Sequence, residues 1–347
     1  MAANSSSRLK PNIRMVAERA QLSPTTVSLA LRGDESIPRE TRERVLAAAR
    51  ELNYVHTPRG ARGEQSGICR LVFVMPDTGD HPVTANPFYG EVLGGAEQEC
   101  GERSASLSFT VLQHGFSDQL PLPSALQDPD LGGVLLVGAY APALVDRVAA
   151  EVGRPIVLVD NAIPGQPYDS VMADDFGGGF LVTRHLIELG HQHIAMIAGT
   201  MSAPSFAERY RGYQTACSRA GIQPMQPIEV IWERPAISAM LKQTLAQEPR
   251  PTAFFCAHDA YAAFVIEQLA DFDLRVPDDI SVVGFDDLAP MRLIRPPLTT
   301  IHNHPRSLGR IGVQRLMARI KGDQQPPQGI TVGTNLIVRE STRENRT

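Results

Sequence analysis

No run in these 347 residues approaches the roughly 20 consecutive apolar positions that a membrane-spanning helix needs. The opening stretch, MAANSSSRLKPN, has no apolar segment of the signal-peptide kind, so a cytoplasmic protein without a membrane partner is expected. Cysteine is scarce: Cys69, Cys100, Cys217 and Cys256 stand far apart, with no CxxC and no histidines clustered around them. That spacing argues against a zinc site or a disulfide framework and fits a reducing compartment. Two HxH pairs, His191 with His193 and His302 with His304, have no carboxylate or cysteine to complete a site, so no metal and no other cofactor is expected. GxSxG, the nucleophile elbow, is absent. DFGGGF at 175–180 lacks the GxGxxG spacing of a dinucleotide fingerprint, and its glycines are expected to ease helix–strand packing. These absences disfavour an enzyme, and the missing signal peptide disfavours a transport binding protein.

What is present is uneven in charge. Residues 1–63 hold eleven Lys and Arg against six Asp and Glu, whereas the remainder holds twenty-two against thirty-two. A basic head on an acidic body points to a polyanion partner for the head alone. The length implies two or three compact units.

The head reads as three short helices. Residues 13–21 put Val16, Ala17 and Ala20 on one face, with Asn12 as a cap. In LSPTTVSLALRG (22–33), Ser23 caps a second helix and Pro24 takes its first position, where a missing N–H costs nothing. Val27, Ala30 and Leu31 form its buried face. A third helix is expected from about Pro38 to Leu52, with Val45, Ala48, Ala49 and Leu52 inward. The short middle helix exposes Pro24, Thr25, Ser28 and Leu29, small hydroxyls suited to phosphate oxygens and base edges. A second helix of this kind after a tight turn is a helix-turn-helix, whose recognition helix enters the major groove of operator DNA. The candidate DNA contacts are Arg14, Pro24, Thr25, Thr26, Ser28, Leu29 and Arg32.

VAERAQLSPTTVSLALRG…IPRETRERVLAAARELNY resembles the head of the LacI/GalR family of bacterial transcription regulators, and further blocks match in order through the chain. The resemblance implies a DNA-binding domain at 1–56, a hinge at 57–70 and an effector-binding core at 71–347. In the family, the hinge inserts a leucine between base pairs of the minor groove and kinks the DNA. An ungapped count puts Gly63 at that leucine, with Arg62 beside it. Glycine cannot act as a wedge, so central kinking is expected to be small. Leu29 is a second departure, at a position where a polar or basic reader is common.

From Leu71 onward, RLVFVMP, GGVLLVG, PIVLVD, HIAMIAG, TAFFCAHD and ISVVGFDD read as buried parallel strands, each expected to be followed by a helix. Polar residues stand just past them: Asp77, Asp160, His258 and Asp286. In such sheets, ligands bind at the strand carboxyl ends. The fold expected is an all-α helix-turn-helix head plus an α/β core of two Rossmann-like lobes, similar to periplasmic sugar-binding proteins. Lobe 1 covers about 71–171 and 302–331, and lobe 2 about 172–301 and 332–347.

The resemblance further implies that Arg209, opening RYRGY, grips the effector, and that Asp286 of GFDD accepts its hydroxyls. Trp232, the only tryptophan, is expected to stack on it, with Phe88 and Tyr89 as the opposing aromatic surface. His258 stands where many relatives have Asn, and Asp160, Ser205 and Asn303 complete the set. The function implied is a repressor working as a homodimer, its operator affinity set by a small effector bound between the lobes. A sugar or sugar derivative is expected, with a nucleobase or another metabolite as the alternative.

Overall fold

The computed structural model describes residues 13–31, 37–52, 68–77, 87–113, 121–230 and 234–345. The chain divides into two compact units, Met1–Gly67 and Ile68–Thr347.

In the first unit, helices α1 (Ile13–Ala20), α2 (Pro24–Leu31) and α3 (Arg39–Glu51) enclose one small core. Val16, Val27 and Val45 are fully buried in it, with Ala17, Ala20, Ala30, Ala48 and Ala49 around them. Burying one such valine is worth about 1.5–3 kcal/mol, so three helices this short depend on one another. Ser23 starts α2 as a cap: its Oγ accepts the Thr26 amide at 3.1 Å and lies 2.9 Å from the Thr26 hydroxyl.

The second unit holds two parallel sheets. Its strands are β1 (Cys69–Asp77), β2 (Ala105–Gln113), β3 (Leu131–Val137), β4 (Ile156–Val159), β5 (Asp169–Ala173), β6 (Ile194–Ala198), β7 (Ile228–Glu229), β8 (Ala253–Cys256), β9 (Ser281–Val283), β10 (Thr300–His302), β11 (Gly329–Val332) and β12 (Asn335–Ile337). Its helices are α4 (Pro87–Glu102), α5 (Pro142–Val152), α6 (Asp175–Glu188), α7 (Pro204–Arg219), α8 (Arg234–Leu245), α9 (Asp259–Asp271) and α10 (Pro305–Ile320). One sheet has the order β11-β5-β4-β3-β1-β2 and the other β7-β6-β8-β9. Strands β10 and β12 pair antiparallel where the chain passes between the two sheets.

Alternation along the strands builds a core on each face. In β1, Leu71, Phe73 and Met75 pack with α4 and α10, while Val72 and Val74 pack with α5. In β8, Phe254 and Cys256 pack with α8 and α9, and Ala253 and Phe255 with α6 and α7. Burial on both faces is why these strands read as continuous apolar runs.

The strand reading needs three corrections. PIVLVD is followed by β5 rather than by a helix, and ISVVGFDD by a 3-10 turn, Ala289–Leu293, and β10. Strand β2 lies at the sheet edge with residues exposed along it, so ASLSFTVLQ carries no continuous apolar run. The glycines of DFGGGF do more than ease helix–strand packing. A Cβ on Gly178 would meet Phe285 and Ile301, but one on Gly179 would lie 2.2 Å from the Arg209 carbonyl oxygen, a helix–helix contact. Among the described residues no helix is long and apolar enough to cross a membrane.

Candidate functional site

Parallel strands place their carboxyl ends on one edge, and the polar residues gather there. Arg209 projects from α7, which is held against α6 by backbone contact at Gly179 and Gly212. The residue is 5% exposed, and its guanidinium lies 3.7 Å from the centre of the Phe285 ring. Every guanidinium nitrogen donates to the protein. Nε reaches Asp175 Oδ1 at 2.8 Å, Nη1 reaches the Ala257 carbonyl, and Nη2 reaches Asp286 Oδ1 at 3.3 Å. Burial alone would lower the guanidinium pKa, but Asp286 and Asp175 outweigh it and raise it.

Asp286 follows β9 and is 3% exposed. Asn303, just past β10, donates Nδ2 to Asp286 Oδ1 at 2.7 Å. Burial pushes the Asp286 carboxyl well above the usual carboxylate range, with Arg209 opposing. His258, after β8, accepts the Ala260 amide on Nδ1 at 3.1 Å and so caps α9. Its proton therefore sits on Nε2, which faces Asp286 Oδ2 at 3.3 Å. Burial, then Arg209, lowers the His258 pKa to about 3, so the ring is neutral at physiological pH.

Asp160, after β4, is partly exposed and accepts the Tyr89 hydroxyl at 2.9 Å. Burial, then Asp175, pushes its carboxyl up to about 7. Asp160 and Asp286 both hold positive φ, 55° and 109°. Such backbone costs on the order of 1–3 kcal/mol per residue and persists only where surrounding structure enforces it.

Asp175 was not among the residues expected here. It is 3% exposed at the start of α6, and its pKa is raised by burial against the pull of Arg209. The sequence around it, DDFGGG, signals only a helix start, and Asp174 does cap α6 through the Gly177 amide. Nothing local points to Arg209, 34 positions later. Among the described residues, four buried polar atoms close to these strand ends find no hydrogen-bond partner: Asp175 Oδ2, Asn161 Nδ2, Asn303 Oδ1 and the Tyr140 hydroxyl.

The structure thus brings together Asp160, Tyr89, Arg209, His258, Asp286 and Asn303. Phe88 needs correction as a ligand-facing ring: it is 6% exposed within the core of β1, α4 and α10, its edge against Tyr89 at 5.1 Å. One helical step separates the two rings, and only the second reaches Asp160. Ser205 stands partly buried on the first turn of α7. Trp232 and the strand-end environment of Asp77 lie outside what the structure describes.

In the head, Leu29 and Thr26 are partly exposed on α2, and the Thr26 hydroxyl is taken up by Ser23. The side chains of Arg14, Pro24, Thr25 and Ser28 are outside the described set, as are Arg32, Arg62, Gly63 and the hinge through residue 67. His302 and His304 lie with ring centres 4.5 Å apart, His302 Nδ1 at 3.2 Å from Asp287 and His304 Nε2 at 2.6 Å from Asn335. Among the described residues no group of three or more His, Cys, Asp or Glu is placed to hold a metal ion.

Residues 12–56 match the family described as bacterial regulatory proteins, lacI family, and residues 183–342 match a periplasmic binding protein-like domain. The chain is 31% identical over 339 residues to the HTH-type transcriptional repressor PurR of Haemophilus influenzae (strain PittEE), covering 95% of this chain and 98% of that protein. Among solved structures, a complex of the transcriptional regulator CelR with cellobiose superposes with a TM-score of 0.69 at 27% identity, covering 95% of this chain and 99% of that one. The Lac repressor bound to ONPG in the repressed state gives a TM-score of 0.69 at 26% identity, covering 96% of this chain and 100% of that one.

Proposed function

We propose, from the premise that this chain belongs to the LacI family and is a DNA-binding transcriptional repressor of that family, that its strand-end cleft takes an uncharged, polyhydroxylated effector of the sugar class. The observation that carries this reading is the state of Arg209. All three of its nitrogens already donate to protein oxygens, two of them on carboxylates, so an incoming anion meets no unpaired cation. Asp160, Asp175 and Asp286 surround one guanidinium, while His258 is neutral. A sugar phosphate or uronic acid would find no unmatched positive charge to pair with there. Hydroxyl groups, in contrast, both donate and accept, and so can pair with these carboxyl groups in either protonation state. The unpartnered Asp175 Oδ2 and Asn303 Oδ1 offer acceptors, and Asn161 Nδ2 a donor. The cellobiose bound by CelR agrees with this class.

The chain acts as a homodimer in the cytoplasm. A groove of about 450 Å³ is lined by Phe264, Met291 and Ile294 together with Glu267 and Arg295, and Leu293, next to Ile294 in the chain, is 80% exposed, a surface suited to a second subunit. Effector binding changes lobe closure, and closure alters the spacing of the two heads on a palindromic operator. Coupling of this kind is typically worth about 1–3 kcal/mol.

A thermal-shift screen tests the effector class, because a ligand that binds only the folded state raises Tm. The panel holds neutral mono- and disaccharides including cellobiose, their phosphates and uronic acids, and nucleobases. A neutral sugar should stabilise the chain while its phosphate does not. Stabilisation by a sugar phosphate refutes the charge argument, and stabilisation by a nucleobase alone replaces the sugar with a planar ligand.

A further inference from the structure

Three consecutive residues after β9 are anchored to three different parts of the molecule. Asp286 belongs to the cleft, held by Arg209 and Asn303, and its amide donates to the Ile301 carbonyl at 2.8 Å. Asp287 turns toward the strands that pass between the sheets. Its Oδ1 accepts Arg339 Nη2 at 2.6 Å, and its Oδ2 accepts Arg292 Nη2 at 2.9 Å and lies 3.2 Å from His302 Nδ1. The Leu288 amide donates to Asp259 Oδ2 at 2.8 Å, and the other oxygen of that buried carboxylate takes the Thr300 hydroxyl at 2.5 Å. Positive φ at both aspartates, 109° and 54°, is what lets three successive residues point three ways.

Among the described residues, the Leu288 side chain goes where no other buried residue of the second lobe goes. It is 5% exposed and packs in the apolar cluster built by β1, β3, β4, β5, α4 and α10, all of the first lobe. Met291, three residues on, packs against the same cluster, and its amide donates to the Leu288 carbonyl at 2.9 Å. Every other buried member of that cluster comes from the strands and helices around the six-stranded sheet.

We infer that Leu288, seconded by Met291, is the closure contact of the core, a peg from the second lobe seated in the first, and that it reports the position of the Asp286 carboxylate across the cleft. Two peptide units separate the group that meets the effector from the group that meets the opposite lobe. The intervening Asp287 is tied too firmly to absorb a displacement between them. A ligand that fixes Asp286 therefore seats Leu288, and lobe opening must withdraw Leu288 from an apolar cluster into water. The regulatory meaning of the contact rests on the effector reading above; the contact itself does not.

The test needs no ligand. Nitroxides are placed at Ala150→Cys on α5 and Ser218→Cys on α7, both exposed, in a Cys69→Ser background where the remaining cysteines are buried. Full-length labelled chain is diluted with unlabelled chain, so that distances within one chain are read by pulsed dipolar spectroscopy. Leu288→Ser should shift the distribution to longer separations and broaden it. Leu288→Met, which keeps the apolar peg, should match wild type. So should Leu269→Ala, a core truncation confined to the second lobe that weakens the fold without touching the contact. An unchanged distribution in Leu288→Ser overturns the inference, as does equal lengthening in Leu269→Ala. The sugar screen, run in parallel, separates this from the effector reading. Lobes that open in Leu288→Ser while no sugar stabilises wild type leave the contact standing and refute the cleft's ligand. A stabilising sugar with unchanged spacing does the reverse.

Discussion

Gly179→Ala should destabilise the core, while the same substitution at Gly90 should stabilise it, although both glycines lie inside helices. A Cβ on Gly179 would sit 2.2 Å from the Arg209 carbonyl oxygen and 2.9 Å from its carbonyl carbon. Carbon-to-oxygen contacts of this kind settle at about 3.3–3.6 Å, so α6 and α7 must separate by roughly 1 Å. Backbone on both sides leaves no flexible side chain to yield, and overpacking of this sort typically costs about 1–3 kcal/mol. The bond from Arg209 Nη2 to Asp286 is already 3.3 Å, so a shift of that size breaks it. A Cβ on Gly90 of α4 meets nothing within 4 Å. There the substitution only restricts the unfolded chain and should add about 0.4–1 kcal/mol. Urea denaturation of wild type and both variants measures the two effects. Shifts of the same sign in both variants would refute the claim that contact at Gly179, rather than helix propensity, sets the spacing around Arg209.

Asp259 and Asp160 contribute stability that falls with rising pH. Burial pushes Asp259, 1% exposed, and Asp160 up to about 7, so each contributes most when protonated and progressively less as pH rises toward that value. For Asp259, about three units at roughly 1.4 kcal/mol each gives on the order of 4 kcal/mol between acid and pH 8. Wild type should therefore lose more of its urea midpoint between pH 5.5 and pH 8 than Asp259→Asn does, a comparison in which the opposing contribution of neutral buried histidines such as His258 cancels. Equal profiles would mean Asp259 is ionised and paired. Arg209→Ala leaves Asp175 and Asp286 buried without their counter-ion, and thermal melting should show a loss of about 3–5 kcal/mol at neutral pH, whereas a neutral result would mean the carboxylates are already protonated. Removing residues 1–67 should abolish operator binding in gel shifts and leave the melting of the core intact, since the core is a separate compact unit; retained sequence-specific binding would put the DNA contacts elsewhere. In circular-permutation gel shifts, Gly63→Leu should bend a site with a central pyrimidine–purine step more than wild type does, and a strong wild-type kink would assign the wedge to another side chain.

The head was legible because its apolar residues recur at helical spacing and nothing distant is needed to place Val16, Val27 and Val45. The doubly buried strands were legible as apolar runs. Strand β2 was not, since an edge strand needs apolar residues on one face only, and Phe109 is 40% exposed. Arg209 and Asp286 could be picked out through resemblance to a family. Asp175 could not, because its role arises from contact with a helix that begins almost thirty residues later. His258 was expected at the site, but its tautomer follows from the Ala260 amide, a detail of backbone geometry. Phe88 and Tyr89 are neighbours of like chemistry, and only the helix's rotation decides which one faces the core.

The two sheets are not consecutive in the chain, and this bears on how the protein is made. Strands β1 to β5 leave the ribosome first, but their sheet is completed by β11, and its core by Leu308, Val313, Leu316 and Met317 of α10. The second lobe is synthesised in between and can assemble its four-stranded sheet while the first still lacks a helix and an edge strand. During that interval, α4 has no α10 to cover Gly95, and its glycine-lined groove faces solvent. A nascent chain that has emerged only to about residue 303 therefore exposes an incomplete first lobe to chaperones and proteases. Ser341, later in the chain, binds β9 through both its carbonyl and its hydroxyl, so the second lobe too waits on residues beyond α10. Early translational termination should thus eliminate this protein from a cell rather than leave a working fragment.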